Sequence, residues 1–154
     1  MNELGEAFYA LSPSGQKLAV KGIHELMNWQ REDGTLYAPV PAGNWDKELP
    51  LQMLASIGWY GFYTQYYYSA DSSFVPVIYD RMRRYLHEVW QVDKSGLVIE
   101  RQGAWSWGDW GEHVDMGVLT NCWYYLALKA ERAFALQLGK DKEADEISRM
   151  MRSI

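Results

Sequence analysis

Two long uncharged stretches constrain this chain more than anything else in it. No Asp, Glu, Lys or Arg stands between Glu48 and Asp71, and none between Asp115 and Lys129. In the first stretch Leu51, Leu54, Ile57, Trp59, Phe62, Tyr63, Tyr66 and Tyr67 recur at helical spacing and cover most of a helix's circumference. A helix that is apolar all round is buried on more than one side. Gly58 and Gly61 each cost about 1 kcal/mol relative to Ala inside a helix. Close approach of a neighbouring backbone would offset that cost.

Such inner helices need outer ones, and the remaining segments have that pattern. Leu18, Ile23, Leu26 and Met27 share a face, opposite Lys17, Lys21, His24, Glu25 and Asn28. Val75, Ile78, Tyr79, Met82, Tyr85, Leu86 and Val89 oppose Arg81, Arg83, Arg84, His87 and Glu88. Ala144, Ile147, Met151 and Ile154 mark a last amphipathic helix. All three read as half-exposed. A short helix is expected over residues 3–10, and Ser12-Pro13 as the start of the next. Pro50 opens an inner helix running to about Ser69. Asp71 or Ser72 caps its successor, with Pro76 in the first turn, and Asp115 caps the fifth helix, which Gly139 ends.

The pattern repeats. Gly34 and Gly96 stand 62 residues apart, Trp29 and Trp90 61 apart, and Trp59-Tyr60 and Trp123-Tyr124 64 apart. Short turns at Ser12, Ala70 and Lys140 alternate with long loops over 35–49 and 97–114. The short turns therefore lie at one end of the helix layer and the long loops at the other. Buried inner and half-exposed outer helices in repeated hairpins describe an all-α toroid or a helical solenoid. About three hairpins are expected, fewer than a closed ring needs. Functional residues should collect where the long loops meet.

Composition narrows the function classes. With 154 residues and 48% apolar content, the chain can hold one domain with a real core. A net charge of −5 argues against a nucleic-acid footprint. The lone Cys122 excludes an internal disulfide. No apolar run reaches membrane-spanning length, so no membrane role is expected. The 8 tryptophans and 11 tyrosines point to a large ligand surface, or to a core meant for a bigger protein.

The densest aromatic segment is Gly103-Ala104-Trp105-Ser106-Trp107-Gly108-Asp109-Trp110-Gly111-Glu112. Flat rings beside a hydrogen-bonding carboxylate suit a sugar, which has apolar C–H faces and a rim of hydroxyls. Asp109 reads as a hydroxyl acceptor or as a loop-bracing or capping carboxylate, Trp110 as a stacking platform or a core wedge, and Trp107 as a weaker candidate. Trp45 and Glu48 sit on the other long loop, at the same end. Glu48 fits equally well as a helix-start acid. The spacing of Glu112, His113 and Asp115 matches no metal-ligand pattern, and no cofactor is implied.

Several segments together resemble a known family: Glu3 to Leu11, Asn28-Trp29-Gln30-Arg31-Glu32-Asp33-Gly34, Pro41 to Pro50, Gln52 to Gly58, Trp107-Gly108-Asp109-Trp110-Gly111 and Trp123 to Lys129. This combination resembles the catalytic domain of α-L-rhamnosidase-like proteins of the six-hairpin glycosidase superfamily, which has an (α/α)6 barrel. The resemblance implies inverting hydrolysis of terminal α-L-rhamnosides by one carboxylic acid and one carboxylate base. It implies that residues 1–154 form a single all-α domain, part of a larger glycosidase catalytic domain. The family's acid and base segments match nothing here, so no catalytic residue is carried over and the chain alone is expected to be inactive. The Gly108-Asp109-Trp110 segment matches an element near the family's sugar pocket. A non-catalytic carbohydrate-binding or helical scaffold module is the rival reading. Aromatic inner helices with open flanks also predict self-association.

Overall fold

Local chemistry sets most of the helix starts. The computed structural model describes residues 14–38, 47–103 and 111–154. Its helices are α1 (Gly15–Asn28), α2 (Pro50–Ile57), α3 (Thr64–Ser69), α4 (Val75–Arg84), α5 (Met116–Gln137) and α6 (Asp141–Met151), with π-helical turns at Trp59–Tyr63 and Tyr85–Val89. The all-α class holds: among the described residues the only extended pairing is an isolated antiparallel bridge between Val92 and Val98. Pro50 stands at the first position of α2, where its missing N–H costs nothing. The Asp115 carboxylate accepts the Val118 N–H at 3.0 Å and caps α5. Gly139 turns the chain after α5 in the left-handed region, at φ +69°.

The cap expected from Asp71 or Ser72 does not form. The Asp71 carboxylate accepts the Ser73 N–H at 2.9 Å, building the turn between α3 and α4 rather than capping a helix. Phe74 precedes α4 without any side-chain cap. Helix α1 begins at Gly15 behind Ser14, which also makes no side-chain cap bond. The Ser12-Pro13 start and the helix expected over 3–10 lie outside the described residues.

The first inner helix is not continuous. At Gly58 the backbone swings to an extended conformation, with ψ −155°, and separates α2 from the following π-helical turn. A Cβ at Gly58 would lie 3.2 Å from the Ala127 Cα of α5 and 2.7 Å from the Leu54 carbonyl. The close backbone approach expected here is therefore real. At Gly61 the reason differs: a Cβ would collide with the Ser56 carbonyl of its own preceding turn. The wide π turn, not a neighbouring helix, demands that glycine.

Helix α5 is the hub, packing against α2, the first π turn, α4 and α6. The core joins Leu54 and Ile57 of α2, Ile78, Tyr79 and Met82 of α4, Tyr85 and Leu86 of the second π turn, Tyr124, Leu128 and Phe134 of α5, and Ile147 of α6. The apolar face of α4 is thus buried as deeply as the inner helices. The opposite side of the inner layer is not: Tyr60, Tyr67, Val118 and Tyr125 stay exposed.

One charged group lies inside this packing. Glu131 of α5 is fully buried. Its carboxylate meets the His87 Nε2 at 2.8 and 2.9 Å and an Arg83 guanidinium nitrogen at 3.4 Å. Arg83 reaches on to Glu146 of α6 at 2.8 Å, and the Tyr79 hydroxyl donates to Glu143 at 2.7 Å. The Tyr79 hydrogen bond holds the Glu143 carboxyl below its ordinary range, and Arg83 does the same for Glu146. The network ties α4, α5 and α6 together and runs from the buried Glu131 out to the exposed Glu146. No helix among the described residues is long and apolar enough to cross a membrane.

Candidate functional site

The repeat read from glycine spacing exists as two matching turns. The Arg31 N–H donates to the Thr35 carbonyl at 2.9 Å, and the Gly34 N–H to the Arg31 carbonyl at 2.9 Å. In the second copy the Asp93 N–H donates to the Leu97 carbonyl at 2.8 Å, and the Gly96 N–H to the Asp93 carbonyl at 3.1 Å. Gly34 and Gly96 take φ +86° and +89°. Each turn carries its own aspartate. Asp33 accepts the Thr35 N–H and hydroxyl at 3.0 and 2.7 Å, and Asp93 accepts those of Ser95 at 2.8 and 2.6 Å. These bonds hold both carboxyls below the usual aspartate range. The turns are therefore rigid launching points for the long loops.

From there the two loops are steered to one place. In the first, Arg31 donates to the Lys47 carbonyl at 2.9 Å and lies over the Tyr37 ring, 4.0 Å from its centroid. In the second, the buried Asn121 side chain of α5 clamps Val98, accepting its N–H at 2.8 Å and donating to its carbonyl at 3.2 Å. The loops then meet. Arg101 grips both carboxylate oxygens of Glu48, and its Cζ stands 5.5 Å from the centroid of the buried Trp90 ring. A Cβ at Gly103 would collide with the Pro50 ring, so only glycine lets the loops close this far.

A cleft of about 260 Å³ opens at this junction, lined by Pro50, Leu51, Trp90, Glu100, Arg101, Gln102, Gly103, Met116 and Thr120. The first residues of both inner helices, Pro50 and Met116, stand in its wall. Trp90 and Leu51 give it apolar surface; Gln102, Thr120, Arg101 and Glu100 give it hydrogen-bonding groups. The Trp90 indole N–H is buried and has no hydrogen-bond partner among the described residues. Burial pushes the Tyr85 phenol well above its ordinary value, so it stays neutral. Such a wall suits a ligand with an apolar face and a polar rim.

Of the residues expected at a site, Glu48 is placed: it is half-buried and ion-paired with Arg101, two residues before the start of α2, and is not among the residues that line the cleft. Trp45, Trp107, Asp109 and Trp110 lie outside the described residues, as does the resemblance segment from Glu3 to Leu11. The chain on both sides of the tryptophan-rich segment is described: Gly103 lines the cleft, and Gly111 precedes the α5 cap. Among the described residues no three His, Cys, Asp or Glu side chains gather as metal ligands. Sequence reasoning passed over Trp90, Glu100, Arg101, Gln102 and Thr120. One signal was available: an acid on the first long loop faces a base on the second, at the end where both loops had to lie.

Searches of curated proteins and of solved structures returned no match. A family model does match, described as the bacterial alpha-L-rhamnosidase 6 hairpin glycosidase domain, over residues 10–154. The all-helical fold agrees with that match, and the chain belongs to the bacterial α-L-rhamnosidase six-hairpin glycosidase domain family.

Proposed function

We propose that this chain forms part of a glycoside hydrolase acting on terminal α-L-rhamnosides, and that its long loops supply one wall of the sugar pocket. The observation that carries this reading is the closure of the two loops by Glu48 and Arg101 around a cleft backed by Trp90. The family's glycosidase character supports a carbohydrate ligand. Asp109, Trp110 and Trp107 follow Gly103 in the chain, and Trp45 precedes Glu48, so each is assigned to the same pocket. Asp109 serves as a hydroxyl acceptor and Trp110 as a stacking surface.

The same chain, tested alone, is proposed to be inactive. Inversion needs two carboxyl groups roughly 6.5–9.5 Å apart across the bond. Glu48 is neutralised by Arg101, which leaves Glu100 as the lining carboxylate with no cation partner among the described residues. Tryptophan fluorescence titrated with L-rhamnose, with glucose and fucose as controls, tests the pocket. A saturable response to rhamnose alone, weakened at least tenfold by Asp109→Ala, is expected. No response to rhamnose would remove the pocket from this chain, and brisk cleavage of an aryl α-L-rhamnoside, abolished by Asp109→Ala, would overturn the inactivity. The exposed aromatic side of the inner layer is further proposed as a self-association surface.

A further inference from the structure

The cleft has an unusual charge balance. Among the described residues Arg101 is the only cation in its lining, and both oxygens of Glu48 occupy it. Glu100 lines the same cleft, is exposed, and has no cation partner among the described residues. Helix N-termini ordinarily favour anions, and two of them reach this wall. Each has its own acid: Glu48 lies two residues before Pro50, and Asp115 immediately precedes Met116 and caps α5. The sequence closes one loophole. Residues 39–46 and 104–110, which connect to this junction, contain Asp46 and Asp109 but no Lys or Arg. Lys47, the lysine nearest the junction on the first loop, is exposed and is not among the residues that line the cleft.

We infer that Glu100 makes the cleft a charge filter, admitting uncharged glycosyl groups and rejecting saccharides that carry a carboxylate. This rests on the carbohydrate reading above and adds the residue that sets charge specificity. A carboxylate entering the cleft would meet Glu100 with no free cation in the described lining to offset it. Like charges a few ångströms apart near a protein surface repel by enough to lower affinity about tenfold or more. Added salt should weaken the discrimination, because Glu100 faces solvent.

Two ligands of one shape isolate the charge: D-galacturonate and its methyl ester. Their affinities, with that of L-rhamnose, would be measured by calorimetry on the full chain at low salt and at 0.5 M NaCl. In the unaltered chain the ester should bind about tenfold or more tighter than the acid at low salt, with the ratio shrinking at high salt. Glu100→Gln should reduce the ratio, and Glu100→Lys should abolish or invert it. Glu100 is exposed, so neither change should prevent folding; a far-UV spectrum confirms this. Equal binding of acid and ester, or a ratio that Glu100→Lys leaves unmoved, would overturn the filter while leaving the carbohydrate site standing. Rhamnose binding without ester binding would also overturn it, because charge alone cannot exclude a neutral ester. Failure of all three ligands would instead overturn the carbohydrate reading, and the filter with it.

Discussion

At the scale of single residues, Glu131 carries the largest risk in the molecule. A carboxylate with no solvent exposure is tolerated only with partners for its charge and its lone pairs; Arg83 supplies the charge and His87 a hydrogen-bonding contact. Both are only partly buried, so removing either still leaves water some access to the vacated side. Removing Glu131 leaves two cationic or polar groups facing a small cavity. Glu131→Ala should destabilise the fold by about 3 kcal/mol, within the range for breaking a buried pair. Glu131→Gln, which keeps the shape and one acceptor, should cost less than half as much. Urea unfolding followed by circular dichroism measures both; equal losses would mean that shape, not charge, holds the three helices.

At the scale of elements, the break at Gly58 decides how the two inner helices meet. The extended residue ends α2 and brings the chain against the Ala127 backbone of α5. Gly58→Ala would normally favour a helix by about 1 kcal/mol. Here the added methyl has backbone on two sides, which cannot move aside like a side chain. The expected outcome is a loss of about 2 kcal/mol, in the range for overpacking a close contact. Gly139→Ala is the comparison, since nothing lies within 4 Å of its Cβ position and only the left-handed backbone opposes it. If Gly58→Ala raises the thermal midpoint, the backbone contact with α5 is not limiting.

At the scale of the whole molecule, apolar surface is unevenly shared. The outer helix α4 hides Val75, Ile78 and Met82 completely, while Val118 of the inner helix α5 is 61% exposed and Tyr67 is 69% exposed. Val118, Cys122 and Tyr125 follow one another along the exposed side of α5. Contiguous apolar patches of this kind mark interaction surfaces. The chain should therefore associate with itself, its sedimentation mass rising with concentration, and Val118→Glu should return it to the monomer. A monomer mass independent of concentration in the unaltered chain would refute this.

How much of this the sequence determined depends on whether a feature is local. Helix class, the apolar face of α4, Pro50 and Asp115 as helix starts, and the glycine turns 62 residues apart all rest on short-range physics. A carboxylate, a proline or a positive φ acts within a few residues of itself, so its effect can be read from its neighbours. Local signals failed where two local solutions competed: Asp71 formed a turn instead of a cap, and the uncharged inner segment broke at Gly58 instead of continuing. Tertiary structure alone decided the rest. Glu48 and Arg101 are 53 residues apart in sequence, and His87 and Glu131 44 apart. Each pair forms only because packing around α5 offsets the entropy of closing the intervening loop. No periodicity records such a meeting, because the sequence signal of a long-range ion pair is only two charges among many. The cleft is a product of those closures, and its charge balance became legible only once Arg101 was seen to be occupied.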